Sequence, residues 1–199
     1  MKTYISLILI AVLFSCQPDD PVGQNAHIPF AEEEIPDMSI YHLPESWTTQ
    51  YGDPISFVDL KGEPLVVVMI YTACRTACPR LVADMRQIEE KVSKETKEPV
   101  KYVMVSIDPE NDTPDKLMKF AEDNGMKGDQ WLFLRGTDEG VRDFANILSV
   151  KYKKINPIDF SHSNIISVFD AQGVLKYQKE GLGLENNEII QQVAKVAQK

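Results

Sequence analysis

Sulfur and imidazole are scarce in this chain. Three cysteines (Cys16, Cys74 and Cys78) and three histidines (His27, His42 and His162) serve all 199 residues, so thiol or ring-nitrogen chemistry has few places to reside. Basic charge is short as well: 21 Lys and Arg stand against 30 Asp and Glu, a formal −9. That balance argues against a nucleic-acid partner and against electrostatic attachment to a lipid surface. Internal repeats are missing, and the longest apolar run is too short to cross a bilayer as a mature helix. What remains is room for one domain of ordinary size plus extras.

The apolar run opens the chain. Lys2 is followed by "YISLILIAVLF", which has the length of a signal peptide and ends in "LFSC". An ordinary leader is cut after small residues and needs no thiol. The placement of Cys16 resembles a bacterial lipobox, with Phe14 a less usual occupant, and predicts a leader over residues 1–15 and an acylated Cys16. The mature protein is then expected in the cell envelope, outside the cytoplasm, tied to a membrane by lipid. Without Lys2 there are 20 basic and 30 acidic residues, a charge of −10. Residues 16–37, in "CQPDDPVGQNAHIPFAEEEIPD", are rich in proline and acid without periodicity and suit a tether. A single folded domain is expected over residues 38–199.

Inside that domain strands and helices alternate. "LVVVMIYT" (65–72) is a continuous apolar run, β-branched at its centre, as expected of a strand buried on both faces. A helix is predicted from about Pro79, with Leu81, Met85, Ile88 and Val92 on its apolar face. "VKYVMVSI" (100–107) reads as a second strand and "WLFLRG" (131–136) as a third. Between them Thr113 caps a helix that has Pro114 at its first position and Gly125 as its stop. Thr137 caps another, carrying Val141, Phe144, Ala145 and Leu148. "NIISVFDAQGVLKYQK" predicts a hairpin turning at 171–173, and a last helix carries Ile190, Val193 and Ala197. The pattern predicts an α/β sandwich with a mixed central sheet flanked by helices.

Cys74 and Cys78 fall in "YTACRTACPRL", where the first buried strand gives way to its helix. Unpaired amides at a helix start, with Arg75 beside them, are expected to lower thiol pKa and favour thiolate. A separation of four sets the Cα atoms about 6 Å apart, within disulfide range. With Cys16 lipidated, the two thiols are each other's only intramolecular partner. The geometry suits a reversible disulfide or a two-thiolate claw for a metal. An inert staple closing so small a loop would stabilise little.

A metal needs a third ligand. His27 lies in the tether, and His42 in "SIYHLPES" is expected in an outlying strand or loop. His162 in "DFSHSN" stands just before the hairpin strand, which sandwiches of this connectivity place across from the first helix's N-terminus. Two thiolates and an imidazole select copper(I) and tolerate copper(II). Structural zinc wants a fourth protein ligand, and catalytic zinc would use these three plus water. The seven methionines show no paired spacing and carry no thioether copper site. Asp108 and Asp112 are noted as supporting residues.

These residues resemble a known family. "TACRTACP" is similar to the C-x-x-x-C-P motif of the Sco/SenC proteins, copper-binding assembly factors for cytochrome c oxidase. "VSIDPENDTPDKL" is similar to their motif after the next strand, "DFSHSNIISVFDAQG" to their histidine segment, and "ISFVDLKGEPLVVV" to the approach to the motif strand. The resemblance covers about residues 38–198. It implies a thioredoxin-like fold, copper held by Cys74, Cys78 and His162, and copper delivery to, or thiol reduction of, the CuA site on oxidase subunit II, with a thiol reductant to keep the pair open. Many members have Pro-Asp where this chain has Arg75 and Thr76, and an acidic residue where it has Ser161. Both changes remove local negative charge. The competing expectation is an extracytoplasmic thiol–disulfide oxidoreductase in which Cys74 and Cys78 cycle without metal. A thiol peroxidase shares the fold but needs one attacking thiolate and activating residues that find no match here.

Overall fold

The computed structural model describes residues 34–183 and 185–198. The leader over 1–15, Cys16, His27 and most of the tether lie outside the described residues. Ile35 already packs against the core, and the Pro36 carbonyl accepts Ser39 N–H at 2.9 Å.

In chain order the elements are a 3-10 turn at Ile40–His42, β1 (Trp47–Thr49), β2 (Pro54–Ile55) and a second 3-10 turn at Phe57–Leu60. Then come β3 (Leu65–Ile70), α1 (Cys78–Glu95), β4 (Lys101–Ser106), α2 (Pro114–Asp123), β5 (Trp131–Arg135) and α3 (Asp138–Ile147). The chain closes with β6 (Tyr152–Asn156), β7 (Asp159–His162), β8 (Ile165–Phe169), β9 (Leu175–Glu180) and α4 (Asn187–Ala197). Seven strands form one sheet in the order β2-β1-β5-β4-β3-β8-β9, and β6 and β7 pair only with each other. The mixed α/β architecture matches the expectation.

β3 sits where the sheet changes sense. It runs parallel to β4, from Leu65 against Lys101 to Ile70 against Ser106. It runs antiparallel to β8, with Leu65 against Phe169 and Val67 against Ser167. All six of its side chains are buried, which is why its sequence is continuously apolar instead of alternating. The loop leaving its C-terminal end therefore opens at the point of an open α/β sheet where ligands are usually bound.

The predicted helix signals act as read. Thr113 Oγ1 accepts Lys116 N–H at 3.4 Å and Thr137 Oγ1 accepts Gly140 N–H at 3.0 Å. α1 and α4 pack together, α4 against β8 and β9, and α2 against β5. Trp47, Phe57 and Phe144 meet with ring centroids 4.7–5.6 Å apart, joining the N-terminal segment to α3. Gly173 turns the β8–β9 hairpin at φ 72°, and a Cβ there would come within 2.6 Å of Ser39 Oγ.

Three elements depart from the sequence reading. His42 lies in a 3-10 turn, its Nε2 bonded to the Pro36 carbonyl at 3.0 Å. The β1–β2 pair is too short to show a period. The β6–β7 hairpin was not foreseen because so little of it is covered, Phe160 being buried and Tyr152 and His162 half-buried; no run of apolar alternation marks it.

Candidate metal centre

Past β3 the chain turns through residues 71–77 before α1 begins at Cys78. The loop is pinned at its start. Asp112 accepts Thr72 N–H at 3.1 Å, Thr72 Oγ1–H at 2.5 Å and Ser106 Oγ–H at 2.6 Å. This buried carboxylate thus ties the thiol loop to the end of β4, although burial pushes its pKa up and the Ser106 and Thr72 donors pull it back. Asp108 faces elsewhere, accepting Asn111 Nδ2–H at 2.9 Å, and braces its own turn.

Cys74 N–H donates to the Tyr71 carbonyl at 3.2 Å, which turns the loop back. Cys74 thus stands in the loop and Cys78 in the first helical turn; the pair does not lie along one helix face. Both thiols are free. The Cys78 N–H, one of the amides that a helix start leaves without a carbonyl, donates to Cys74 Sγ at 3.3 Å. The Cys78 thiol points back to the Tyr71 carbonyl at 3.7 Å.

The two thiols differ in acidity. Burial pushes Cys74 up, yet the Cys78 N–H and thiol, the Thr76 N–H and the Tyr71 hydroxyl together hold it below the ordinary cysteine value. Burial drives Cys78 far up, and the neighbouring Cys74 adds to the rise. Cys78 has no exposed surface, whereas Cys74 keeps 7%. The helix-start amides act as expected. Arg75 does not: it is exposed and is not among the groups that lower Cys74. Iodoacetamide should accordingly modify Cys74 at lower pH than an ordinary thiol and leave Cys78 untouched in the folded protein, read by peptide mass spectrometry. Arg75→Ala should leave the Cys74 profile within about twofold, since an exposed charge is screened. A marked upward shift in that variant would restore the role of the charge.

His162 ends β7 and reaches the thiols from the far side of the chain. Its Nδ1 lies 3.1 Å from the Ser163 carbonyl, which places the ring proton on that nitrogen. Among the described residues, Nε2 is left buried and without a hydrogen-bond partner. Burial lowers the pKa of the ring despite the Ser163 bond, so the imidazole is neutral with a free lone pair. One ligand atom from each of Cys74, Cys78 and His162 lies within 4.8 Å of the other two. Among the described residues no fourth His, Cys, Asp or Glu joins them, so the donor set is two soft sulfurs and one imidazole. That set fits copper(I) better than structural zinc. A backbone carbonyl fixing the tautomer of a ligating histidine is a common outer-shell arrangement.

Sequence reasoning missed Tyr71. Its hydroxyl donates to the Asp159 carboxylate, and its ring meets His162 edge-on at 5.8 Å. The only signal for it was its place at the end of an apolar strand, immediately before the motif.

Residues 41–198 match the SCO1/SenC protein family. The SCO1 protein homolog of Bacillus subtilis is 35% identical over 115 residues, which cover 57% of this chain and 59% of that protein. The chain thus spans about three fifths of that relative's own length. BsSco is described as a member of the Sco family of cytochrome c oxidase assembly proteins with a disulfide switch. Its structure superimposes with a TM-score of 0.69 at 28% identity, over 82% of this chain and 98% of BsSco. Arabidopsis thaliana ScoI, solved with copper bound, shares the fold with a TM-score of 0.69 at 18% identity, over 77% of this chain and 96% of the other.

Proposed function

Because the chain belongs to the SCO1/SenC family, we propose that it is a copper-binding metallochaperone that serves assembly of the CuA centre of cytochrome c oxidase. Cys74 and Cys78 supply two thiolates and His162 an imidazole, and the cargo passes to oxidase subunit II. The observation that carries this reading is the buried, unpartnered Nε2 of His162 in a group of three that closes to within 4.8 Å. A neutral ring whose tautomer is fixed through Nδ1 and whose Nε2 has no hydrogen-bond partner is prepared for a metal, and two adjacent sulfurs make that metal soft. Residues 1–15 act as a leader, Cys16 carries the lipid, and residues 16–37 hold the domain of residues 38–199 off an extracytoplasmic membrane surface. Loss of the negative charges usual at the positions of Thr76 and Ser161, with Arg75 in place of a proline, tunes affinity and partner choice.

A second reading has its own observation in the split acidity of the thiols. In it the Cys74 thiolate attacks a client disulfide, the departing client sulfur takes a proton, and Cys78 resolves the mixed disulfide. The client leaves as a dithiol, Cys74 and Cys78 leave oxidised, and an external thiol reductant resets them. This cycle has no use for His162.

The full chain, reduced and anaerobic, should bind one copper(I) per molecule. In competition with a chelator, His162→Ala should lose more than the roughly 10–100-fold in affinity that outer-shell changes cost, while the dithiol remains titratable. Equal affinity in wild type and His162→Ala, with intact reductase activity on a disulfide client, would transfer the assignment to the redox cycle.

A further inference from the structure

The β6–β7 hairpin carries His162 but is poorly held. It forms its own two-stranded sheet, and such a unit is marginal by itself. Its strands are exposed apart from the buried Phe160 and the half-buried Tyr152 and His162. Lys154 reaches Glu110 at 3.1 Å, but both side chains are well exposed, so that pair contributes little. Among the described residues, the hydrogen bonds that join the hairpin to the thiol side of the site run through Tyr71.

Tyr71 is 1% exposed, and its ring packs on Phe160 at 5.2 Å as well as on His162. Its hydroxyl donates to the Asp159 carboxylate and accepts Phe160 N–H at 3.4 Å. The backbone carbonyl of the same residue accepts Cys74 N–H at 3.2 Å and faces the Cys78 thiol at 3.7 Å. One residue therefore touches the strand that bears the imidazole and the loop that bears the thiols. We propose that Tyr71 is a positioning residue whose hydroxyl, through Asp159, latches the β6–β7 hairpin in the place that keeps His162 over Cys74 and Cys78. The effect on copper rests on the metallochaperone reading; the latch itself does not. A hydroxyl-to-carboxylate bond is charge-assisted and is the strongest polar tie the hairpin has to this side of the site. A phenylalanine at 71 keeps the ring contacts and removes only this tie.

The test compares Tyr71→Phe, Asp159→Ala, Asp159→Asn and the Tyr71→Phe/Asp159→Ala pair in the full, reduced, metal-free chain by hydrogen–deuterium exchange. Amides over 152–162 should exchange on the order of tenfold faster in Tyr71→Phe and in Asp159→Ala, with β3 and β4 unchanged. The pair should be no faster than either single variant. Asp159→Asn, which keeps an acceptor oxygen, should recover most of the protection, as a purely packing role would not require. Copper(I) release to a chelator should speed up to a similar degree in Tyr71→Phe. Unchanged hairpin exchange in Tyr71→Phe, or full additivity in the pair, overturns the latch. Faster exchange with unaltered copper release supports the latch and instead removes His162 from the copper ligands.

Discussion

Cys78→Ser is expected to lower copper(I) affinity by on the order of a thousandfold or more, well beyond the 10–100-fold that outer-shell changes cost. A hydroxyl is a hard donor that stays protonated, whereas copper(I) selects polarisable thiolate. The exchange is close to isosteric. The Cys78 thiol is fully buried and points at the Tyr71 carbonyl at 3.7 Å, and a serine hydroxyl retains that acceptor. Stability should therefore move by less than about 1 kcal/mol, which separates loss of the ligand from loss of the fold. Cys74→Ser should behave alike towards copper. Anaerobic competition with a chelator, with circular dichroism of the same samples, gives both readouts. Wild-type affinity in either variant would dismantle the two-thiolate claw.

The second large effect lies outside the ligands. Asp112→Ala is expected to destabilise the protein by about 3–5 kcal/mol and lower Tm by about 10 °C, because it strands the buried Ser106 hydroxyl and both donors of the half-buried Thr72 at once. Thr72 N–H, Thr72 Oγ1–H and Ser106 Oγ–H all converge on this carboxylate. Each unsatisfied buried group costs about 1–3 kcal/mol. Thr72 lies two residues ahead of Cys74, so the loosened loop should also lose part of the low-pH alkylation of Cys74. Asp112→Asn should fall between, since its amide offers one acceptor oxygen where the carboxylate offers two. Thermal melts with iodoacetamide profiles test both halves. A Tm within about 2 °C of wild type would mean that water or a shifted side chain replaces the carboxylate.

Much of this was legible in the sequence because local chemistry wrote it. Thr113, Pro114 and Thr137 mark helix starts through their own hydrogen bonds, and the apolar run at 65–70 marks a strand covered on both faces. Cys74, Cys78 and His162 were legible as a set because the chain has so few alternatives. Tyr71 was not. Its buried ring looks like its strand neighbours, and the partner that reveals its hydroxyl lies 88 residues away. The hairpin bearing His162 was equally hidden, since a covered face of only Phe160 and His162 in β7 is too short to show a period. Arg75 shows the opposite error: a neighbour in sequence pointed to solvent, and amides did the work credited to its charge. Asp108 and Asp112, weighed together from sequence, divide in space into a local brace and the anchor of the thiol loop.

The neck of the hairpin has one more consequence. Ser163 N–H donates to the Lys151 carbonyl at 2.8 Å, so the excursion leaves and rejoins the body at almost one point. That neck makes it a candidate cassette: a turn of matching ends that keeps Asp159 and Phe160 is expected to graft between residues 151 and 163 while β8 keeps its pairing with β3. Libraries built there would vary the reach and angle of the third donor alone, turning one protein into a graded series of metal grips on a constant scaffold.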